Sequence, residues 1–231
     1  LDMGRHTLEG NPPIEVTLRH SARAKRLSLR VSRLDGRVTL TLPRRAPARE
    51  GIAFLRTKEA WLRSHLQNMQ PAMPVGVGQS IPLLGRETPI VIGSGRRARL
   101  AEGQIEVSGS APVALQVKAL LRHTARDALA LASDKYAQQL NRTYSRLSIR
   151  DTRSRWGSCS SAGVLMYSWR LIMAPPEVLD YVAAHEVAHL VEMNHQPAFW
   201  AVVAKLCPDY ENQRYWLRER GDQLHRVIFD D

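Results

Sequence analysis

Cysteine is scarce in this sequence, with only Cys159 and Cys207 among 231 residues. Two cysteines so far apart do not form the disulfide framework of a small secreted protein, and neither has the nearby cysteine that a zinc ribbon requires. Long apolar runs are also missing, since no stretch approaches the roughly 20 residues of a membrane-spanning helix. These absences argue against a disulfide scaffold, a zinc ribbon and a membrane partner.

Several sequence signals of other protein classes are absent as well. The chain has no Gly-rich phosphate-binding loop, no carboxylate pair for magnesium and no internal repeat, which weighs against the common nucleotide-hydrolysing enzymes. Its start, Leu1–Arg5, has no apolar signal region, and together with the few cysteines this favours a cytoplasmic protein. Because residue 1 is leucine, we expect it to be a processing boundary.

The net charge of +11 is distributed unevenly along the chain. Residues 1–110 contain 18 Lys and Arg against 9 Asp and Glu, a net charge of +9, whereas residues 111–231 contain 15 against 13, a net charge of +2. A basic N-terminal half can attract nucleic acid, nucleotides or acidic protein. The alternative is a solvated sheet surface, and it is favoured because no aromatic-basic stacking motif accompanies the arginines.

The most informative stretch is at residues 185–195, which read His-Glu-Val-Ala-His-Leu-Val-Glu-Met-Asn-His. His185 and His189 lie four residues apart, so on a helix they share one face and can reach one metal ion. Glu186 is placed to contact a water molecule on that ion. His195 supplies a third imidazole from beyond the helix. Three ligands leave one position of a tetrahedral zinc open, as in catalytic zinc sites.

Alternatives to this ligand set remain open in the sequence. The histidines could instead lie on a helix that satisfies them by ordinary hydrogen bonds. Metzincins carry a glycine three residues after the second histidine, but here that position is Glu192, so we predict that Asn194, which tolerates positive φ, turns the chain. The third ligand could also come from a later helix, through Asp209 or Glu211, although imidazole is a common zinc ligand and the offset fits His195.

The hydrophobic pattern predicts an α+β fold. Apolar and polar residues alternate in short segments of the first half, such as Glu15–His20 and Thr88–Ile92, as in half-buried strands. Pro112–Leu140 has the periodicity of a long amphipathic helix, and segments that we predict to be strands follow it before the histidine motif. We therefore predict a β-rich basic region at residues 1–110 and a catalytic half at residues 111–231.

Several segments together resemble the YgjP-like metallopeptidase family, which is related to the SprT-like proteases and to minimal gluzincin-type zincins. The segments that carry the resemblance are Ser28–Val31, Gly36–Leu40, Phe54–Leu62, Arg153–Ser160, residues 185–195 and Gln196–Trp200. Between them they cover nearly the whole chain, from about residue 15 to residue 225.

The resemblance implies a zinc-dependent hydrolase whose zincin-like catalytic half has an H-E-x-x-H active-site helix packed against a small sheet. It implies that His185, His189 and His195 bind one zinc ion per chain and that Glu186 is the general base. We therefore predict a metalloendopeptidase that acts on protein or peptide. Two alternatives remain: a zinc-dependent nucleotide (UTP) pyrophosphatase, as some members are described, and a DNA-associated SprT-like protease that binds nucleic acid through its basic half.

The predicted mechanism also needs groups that bind the substrate. Zinc lowers the pKa of a bound water towards about 7, and Glu186 would take its proton and pass it to the leaving amine. The sequence does not choose between the candidates for an oxyanion donor, which are Arg153, Arg155, Tyr181 and Tyr210. An ordinary salt bridge is an equal alternative for the two arginines.

A strand before the motif is predicted to hold extended substrate by main-chain hydrogen bonds, as at the cleft edge of related zincins. Residues 155–160 or 164–168 fit this role, with Gly157 allowing a close backbone approach. An equal alternative makes Trp156 a core residue and Gly157 a bulge. A minor alternative makes Cys159 an inhibitory thiolate on the zinc.

Overall fold

The protein is described by a computed structural model covering residues 3–32, 36–67 and 71–229. It divides into two compact units, Leu1–Ala72 and Met73–Asp231, which we call the N-terminal unit and the C-terminal unit. Each unit has its own cluster of buried apolar side chains. Among the described residues, no helix combines the length and the apolar character that crossing a membrane demands.

The N-terminal unit is a four-stranded sheet followed by two helices. The strands are β1 (Met3–Leu8), β2 (Ile14–Ser21), β3 (Ser28–Val31) and β4 (Val38–Pro43), in the order β1-β2-β4-β3. The central pair β2 and β4 is parallel, and both outer pairs are antiparallel. The helices are α1 (Ala48–Thr57) and α2 (Glu59–Gln67).

One face of this sheet is apolar and packs on the helices. Alternation along β2 and β4 buries side chains such as Val16 and Leu40 on one side, because successive side chains of a strand point to opposite faces. From the helices, Leu55 and Leu62 complete the cluster. Gly51 lets α1 approach closely, since a Cβ atom there would lie 2.7 Å from Leu42 Cδ2.

The C-terminal unit begins with short strands. These are β5 (Met73–Pro74), β6 (Ser80–Leu83), β7 (Arg86–Ile92), β8 (Arg99–Ala101) and β9 (Gln104–Val107). The last four form a sheet in the order β6-β7-β9-β8. Strand β5 pairs in parallel with β13 (Val227–Ile228), so the two ends of this unit meet.

The remainder of the C-terminal unit combines a small sheet with four helices. The long helix α3 (Val113–Gln139) leads into β10 (Arg146–Arg150), β11 (Gly157–Cys159) and β12 (Val164–Ser168). Their order is β10-β12-β11, which leaves β11 at an edge. A 3-10 helix, Trp169–Met173, then precedes α4 (Pro176–Ala188), α5 (Pro197–Leu206) and α6 (Tyr210–Arg220), and a second 3-10 helix, Gly221–His225, precedes β13.

Helix α4 lies in the interior of the C-terminal unit. Nine of its 13 residues are buried, which fits a helix that is apolar nearly all round. It begins with Pro176 at its first position, where the missing N–H has no intrahelical partner to lose. The fixed start and the buried surroundings hold the last turn of α4, which carries the histidine motif.

The mixed α+β prediction is confirmed by the helices and small sheets of the structure. The division into compact units falls at Ala72 and Met73, so the predicted boundary near residue 110 lies inside the C-terminal unit. Residues on β6, β7 and β9, such as Ile90 and Ile105, are buried in the same cluster as α3 and α4. A shared core therefore joins residues 73–110 to the half that carries the motif.

Candidate metal centre

The end of helix α4 places two histidines on one side. His185 lies in the last turn, and His189 is the residue that caps the helix. The chain then continues in tight turns, because Leu190 and Glu192 donate their backbone N–H groups to Val187 O (2.9 Å) and Ala188 O (3.0 Å). These turns keep the chain near the helix end and return it to the site.

The predicted turn at Asn194 is wrong in its mechanism. Among the described residues other than glycine, positive φ occurs only at Leu84, Glu102 and Asn141. The hydrogen-bonded turns after α4 reverse the chain with ordinary backbone angles, so a glycine at position 192 is not required. Immediately after the turn, Gln196 donates its N–H to Asn194 O at 2.7 Å.

Three histidine side chains meet at this point. His185, His189 and His195 each offer a ring nitrogen, and these atoms all lie within 4.8 Å of one another. His185 Nε2 and His195 Nε2 are 3.1 Å apart. Two Zn–N bonds of about 2.0–2.1 Å in tetrahedral geometry would place their nitrogens about 3.3 Å apart. The three imidazoles therefore fit a single metal ion, and Asp209 and Glu211 are not in the group.

The protonation of the rings leaves lone pairs for a metal. His189 Nδ1–H donates to Glu192 O at 3.0 Å, which directs the lone pair of Nε2 to the site, as in the outer contacts of many metal-binding histidines. Burial first, and then the neighbouring histidines, lower the pKa of His185 to about 3. His185 is therefore neutral at pH 7. Its Nδ1 is buried and has no hydrogen-bond partner among the described residues.

Phe199 on α5 packs against all three rings. Its ring centroid lies 4.5 Å from that of His189, 4.7 Å from that of His195 and 4.9 Å from that of His185. The side chain is fully buried, so it limits the orientations open to the imidazoles. No pattern in the sequence marks Phe199 as a neighbour of the histidines, because an apolar helix residue gives no signal that it borders three candidate ligands.

Glu186 lies beside the histidines in a buried position, with 6% of its surface exposed. Burial raises the pKa of its carboxyl to about 8, and the Arg155 guanidinium opposes that shift. Gly157 on β11 makes room for the carboxylate, since a Cβ atom at that position would lie 2.5 Å from Glu186 Oε1. The close approach predicted for Gly157 thus involves an internal side chain.

A cleft of about 520 Å³ opens over these groups. Its lining comprises Ser154, Arg155, Gly157, Ser158, Cys159, His185, Glu186, His189, Met193 and His195. Two of the predicted substrate-binding residues, Arg155 and Gly157, are therefore at the cleft. Burial, and then the charge of Glu186, raise the pKa of the Cys159 thiol to about 11. The inhibitory thiolate stays a prediction, and Cys159 is not in the group of ligand atoms that lie within 4.8 Å of one another.

Other predicted substrate-binding residues lie outside that lining. The ring of Trp156 lies 5.1 Å from His225 and contacts Gly221, where a Cβ atom would approach it to 2.9 Å. After burial and the charge of Arg170, the positive charge of Arg153 is a further cause that lowers the pKa of the same histidine, His225. Substrate contact by Trp156 and Arg153 stays a prediction.

The predicted donors Tyr181 and Tyr210 belong to an aromatic group next to His185. Their rings stack at 6.4 Å, and Tyr181 also meets His185 edge-on at 5.9 Å. Tyr210 stacks on Trp200 with 5.4 Å between the ring centroids. The Arg214 guanidinium lies over the Trp200 ring, 4.6 Å from its centroid. The sequence interpretation missed Arg214, because no spacing relates α6 to the motif. The identity of the oxyanion donor stays a prediction.

Comparison with known proteins identifies the family. A family model described as YgjP-like, metallopeptidase domain, matches residues 25–220. The chain belongs to this family. Membership identifies a metallopeptidase, and thus a hydrolase of peptides or proteins that uses a divalent metal. The predicted family is confirmed, and the three-histidine group supplies donors that suit such a metal.

The other comparisons add little to this YgjP-like assignment. No curated protein matches the sequence significantly. One similar solved structure is the crystal structure of the metallopeptidase zymogen of Pyrococcus abyssi abylysin. It shares 18% sequence identity and a TM-score of 0.37, over 40% of this chain and 95% of that chain. At that TM-score the likeness carries no inference about this chain.

Proposed function

We propose that the protein is a zinc-dependent metalloendopeptidase whose active-site helix is α4. The observation that carries this proposal is the meeting of three imidazole nitrogens within 4.8 Å of one another beside the buried Glu186. His185, His189 and His195 would hold the ion, and they fit it by donor type and by spacing. A bound zinc would supply an acidic water molecule and polarise the scissile carbonyl group.

Glu186 is the group that moves the proton. Its carboxyl group shares the cleft with the three histidines, and the charge of a bound dication would favour its carboxylate form against the effect of burial. The carboxylate can then accept a proton from the attacking water and deliver it to the leaving amine. Gly157 keeps the position of Oε1 open, because any larger residue there would collide with it. Arg155 lies on the same cleft wall and favours the charged form of Glu186.

The free edge of β11 supports binding of an extended peptide. On the side of β11 that pairs with β12, the backbone N–H of Ser168 donates to Trp156 O at 2.8 Å, and the backbone N–H of Ser160 donates to Val164 O at 3.1 Å. In an antiparallel pair, alternate residues bond to the same partner strand. The backbone N–H and C=O groups of Ser158 therefore face β12, while those of Gly157 and Cys159 point to the unpaired edge of β11. A substrate strand would bond to these groups beside Glu186.

Metal content and peptide cleavage test this proposal together. Purified protein should contain zinc in equimolar amount and should cleave casein or a quenched fluorescent peptide. Glu186→Gln should keep the zinc and lose the cleavage, whereas His195→Ala should lose both. Glu87→Gln, an exposed substitution of the same kind, should change neither. Full activity of Glu186→Gln on every substrate would refute the mechanism.

The pyrophosphatase alternative is tested in the same assay with UTP. A polyphosphate needs several cationic donors, and Arg155 is the only Arg or Lys among the described residues that line the cleft. A cleft with a single cationic side chain in its described lining favours a peptide over a polyphosphate as the substrate. Turnover of UTP without turnover of any peptide would reverse the order of the two functions. The DNA-associated alternative depends on the cations of the N-terminal unit rather than on the metal centre.

A further inference from the structure

The sheet of the N-terminal unit has an outer face of cations and hydroxyl groups in register. Opposite the apolar face, one row across the four strands reads Arg5, Thr17, Thr39 and Arg30, because Arg5 pairs with Thr17, Thr17 with Thr39, and Arg30 with Thr39. The neighbouring row contains Met3, Arg19, Thr41 and Ser28. The three arginines of these two rows are exposed.

More cations lie at one end of the same sheet. Strands β2 and β4 are parallel and end at Ser21 and Pro43, while the antiparallel β3 begins there, at Ser28. The segments that follow β2 and β4 therefore leave from this end. They carry five further exposed cations, which are Arg23, Lys25, Arg26, Arg44 and Arg45.

These eight cations have no acidic partner within the part of the chain that the structure describes. The ion pair seen within this unit joins Arg63 to Glu59 on α2. On the outer face itself the paired acid is Glu15, in the row of Thr7 at the far end of the sheet. Glu50, in the first turn of α1, is the nearest acid in sequence to Arg44 and Arg45. The positive field of the face is therefore largely uncompensated.

We propose that this face binds the phosphate backbone of a nucleic-acid duplex. Arginine guanidinium and threonine or serine hydroxyl groups are common donors to phosphate oxygens. Arg5 and Arg30 stand three strand spacings apart, about 14 Å, which is comparable with the major-groove width of B-DNA, about 12 Å. The face therefore offers donors at a spacing that suits phosphates on both sides of a groove.

The composition of the face favours a duplex over other polyanions. Single strands are bound through base stacking on aromatic side chains, and no aromatic residue is present in the two paired rows. Membrane-surface binding relies on several apolar side chains that insert, and the two rows contain a single apolar residue, Met3, among arginine, threonine and serine. This inference concerns the N-terminal unit alone and does not rest on the proposed peptidase function.

Fluorescence anisotropy with labelled 25-base-pair duplexes, one of DNA and one of RNA, tests the proposal on the full chain. The variant replaces Arg5, Arg19 and Arg30 together by threonine, which suits a strand. Each phosphate contact contributes about 0.9 to the slope of log affinity against log salt. Loss of three contacts should lower that slope by about 2.7 and weaken binding at least about tenfold at 100 mM salt. Tight binding of either duplex supports the proposal.

The matched control replaces Arg96, Arg122 and Arg126 of the C-terminal unit by glutamine, which removes the same charge from exposed positions. It should bind nearly as well as the wild type, and circular dichroism should show both variants folded. Equal loss in the two variants, or no duplex binding by the wild type at 50 mM salt, would overturn the proposal. Preference for a single strand or for polyglutamate would overturn it too, since the partner would then be of another class.

Discussion

The two units of this protein differ in what they bury. The N-terminal unit has two of the 14 aromatic residues, Phe54 and Trp61, and its buried cluster consists wholly of Leu, Ile and Val. The C-terminal unit has the other 12, and several of their rings surround the three histidines. Aliphatic packing is enough to hold a sheet on two helices, whereas side chains that are to bind a metal ion need rigid neighbours that fix their orientation.

Charge separates the two units in the same way. Residues 1–72 contain 14 Lys and Arg against six Asp and Glu, a net charge of +8, while residues 73–231 contain 19 against 16, a net charge of +3. The unit with the candidate metal centre is thus nearly balanced in charge, and most of the cationic excess belongs to the N-terminal unit. The comparison is consistent with separate roles for the two units, in which the C-terminal unit cleaves the substrate and the N-terminal unit attracts an anionic partner.

The largest expected effect tests whether that division is real. Glu186→Gln should lower the kcat for peptide cleavage by about 10²–10⁴, the usual contribution of a general base, and should leave duplex binding unchanged. The Arg5, Arg19 and Arg30 triple variant should show the opposite pattern: weaker duplex binding, with the kcat for cleavage of a short peptide unchanged. Steady-state kinetics and anisotropy on both proteins decide the matter. Loss of both activities in either variant would show that the units act together.

A smaller effect is expected at the contact between β11 and α4. Gly157→Ala should displace the Glu186 carboxylate, because the added Cβ atom would lie 2.5 Å from Oε1. A displacement of about 1 Å in an active site can reduce kcat about 10²-fold. Zinc content should be retained. Gly76→Ala is the control, since its nearest neighbour would be 4.0 Å away, and kinetics matching those of the wild type are expected for it.

Phe199 provides a test of how aromatic packing supports the ligands. Phe199→Ala should destabilise the fold by about 3–5 kcal/mol, as for other buried phenylalanines, and should also weaken zinc binding. Phe229→Ala removes another buried ring, which packs edge-on against Trp169 at 5.1 Å. Both variants should unfold at a lower denaturant concentration than the wild type. Only Phe199→Ala should show weaker zinc affinity in a competition titration with a chelator. Equal zinc affinity in the two variants would contradict a positioning role.

The smallest effect concerns acid stability of the C-terminal unit. Burial tends to raise the pKa of Asp151, but hydrogen bonds and charge from Arg170 outweigh it and lower that pKa. Asp151 therefore contributes stability that is present above its ordinary pKa of about 3.9 and is lost as the pH falls through the lower value in the folded state. In melting curves between pH 6 and pH 3, Asp151→Asn should show a shallower decline of Tm. Asp127→Asn, at an exposed site, should follow the wild type.

Much of the candidate site could be read from the sequence, because the motif is local. His185 and His189 are related by one helical repeat, and His195 follows within six residues, so short-range geometry brings them together. Gly157 was also found, although the atom that approaches it belongs to Glu186 and not to a substrate. Substrate contacts depend on the packing of separate elements, so they stay predictions.

The extent of the units was harder to derive than the motif. Periodicity indicated strands before residue 110 and a long helix after it, yet Ile81 and Ile90 share a core with α3. Alternation along a strand says that one face is buried and does not say what covers it. Phe199 and Arg214 were overlooked for the same reason. Their contacts join α5 and α6 to the histidines through tertiary packing.

The pairing of β5 with β13 has a consequence for how the chain is made. Met73 and Val227 are register partners, and Arg170 donates to the carbonyl oxygens of Leu224 and Val227 at 2.9 and 3.0 Å. Strand β5 therefore cannot form this pair until residues 227 and 228 have left the ribosome. The three histidines of the candidate site are synthesised some thirty residues earlier, so they are all present before β5 meets its partner strand.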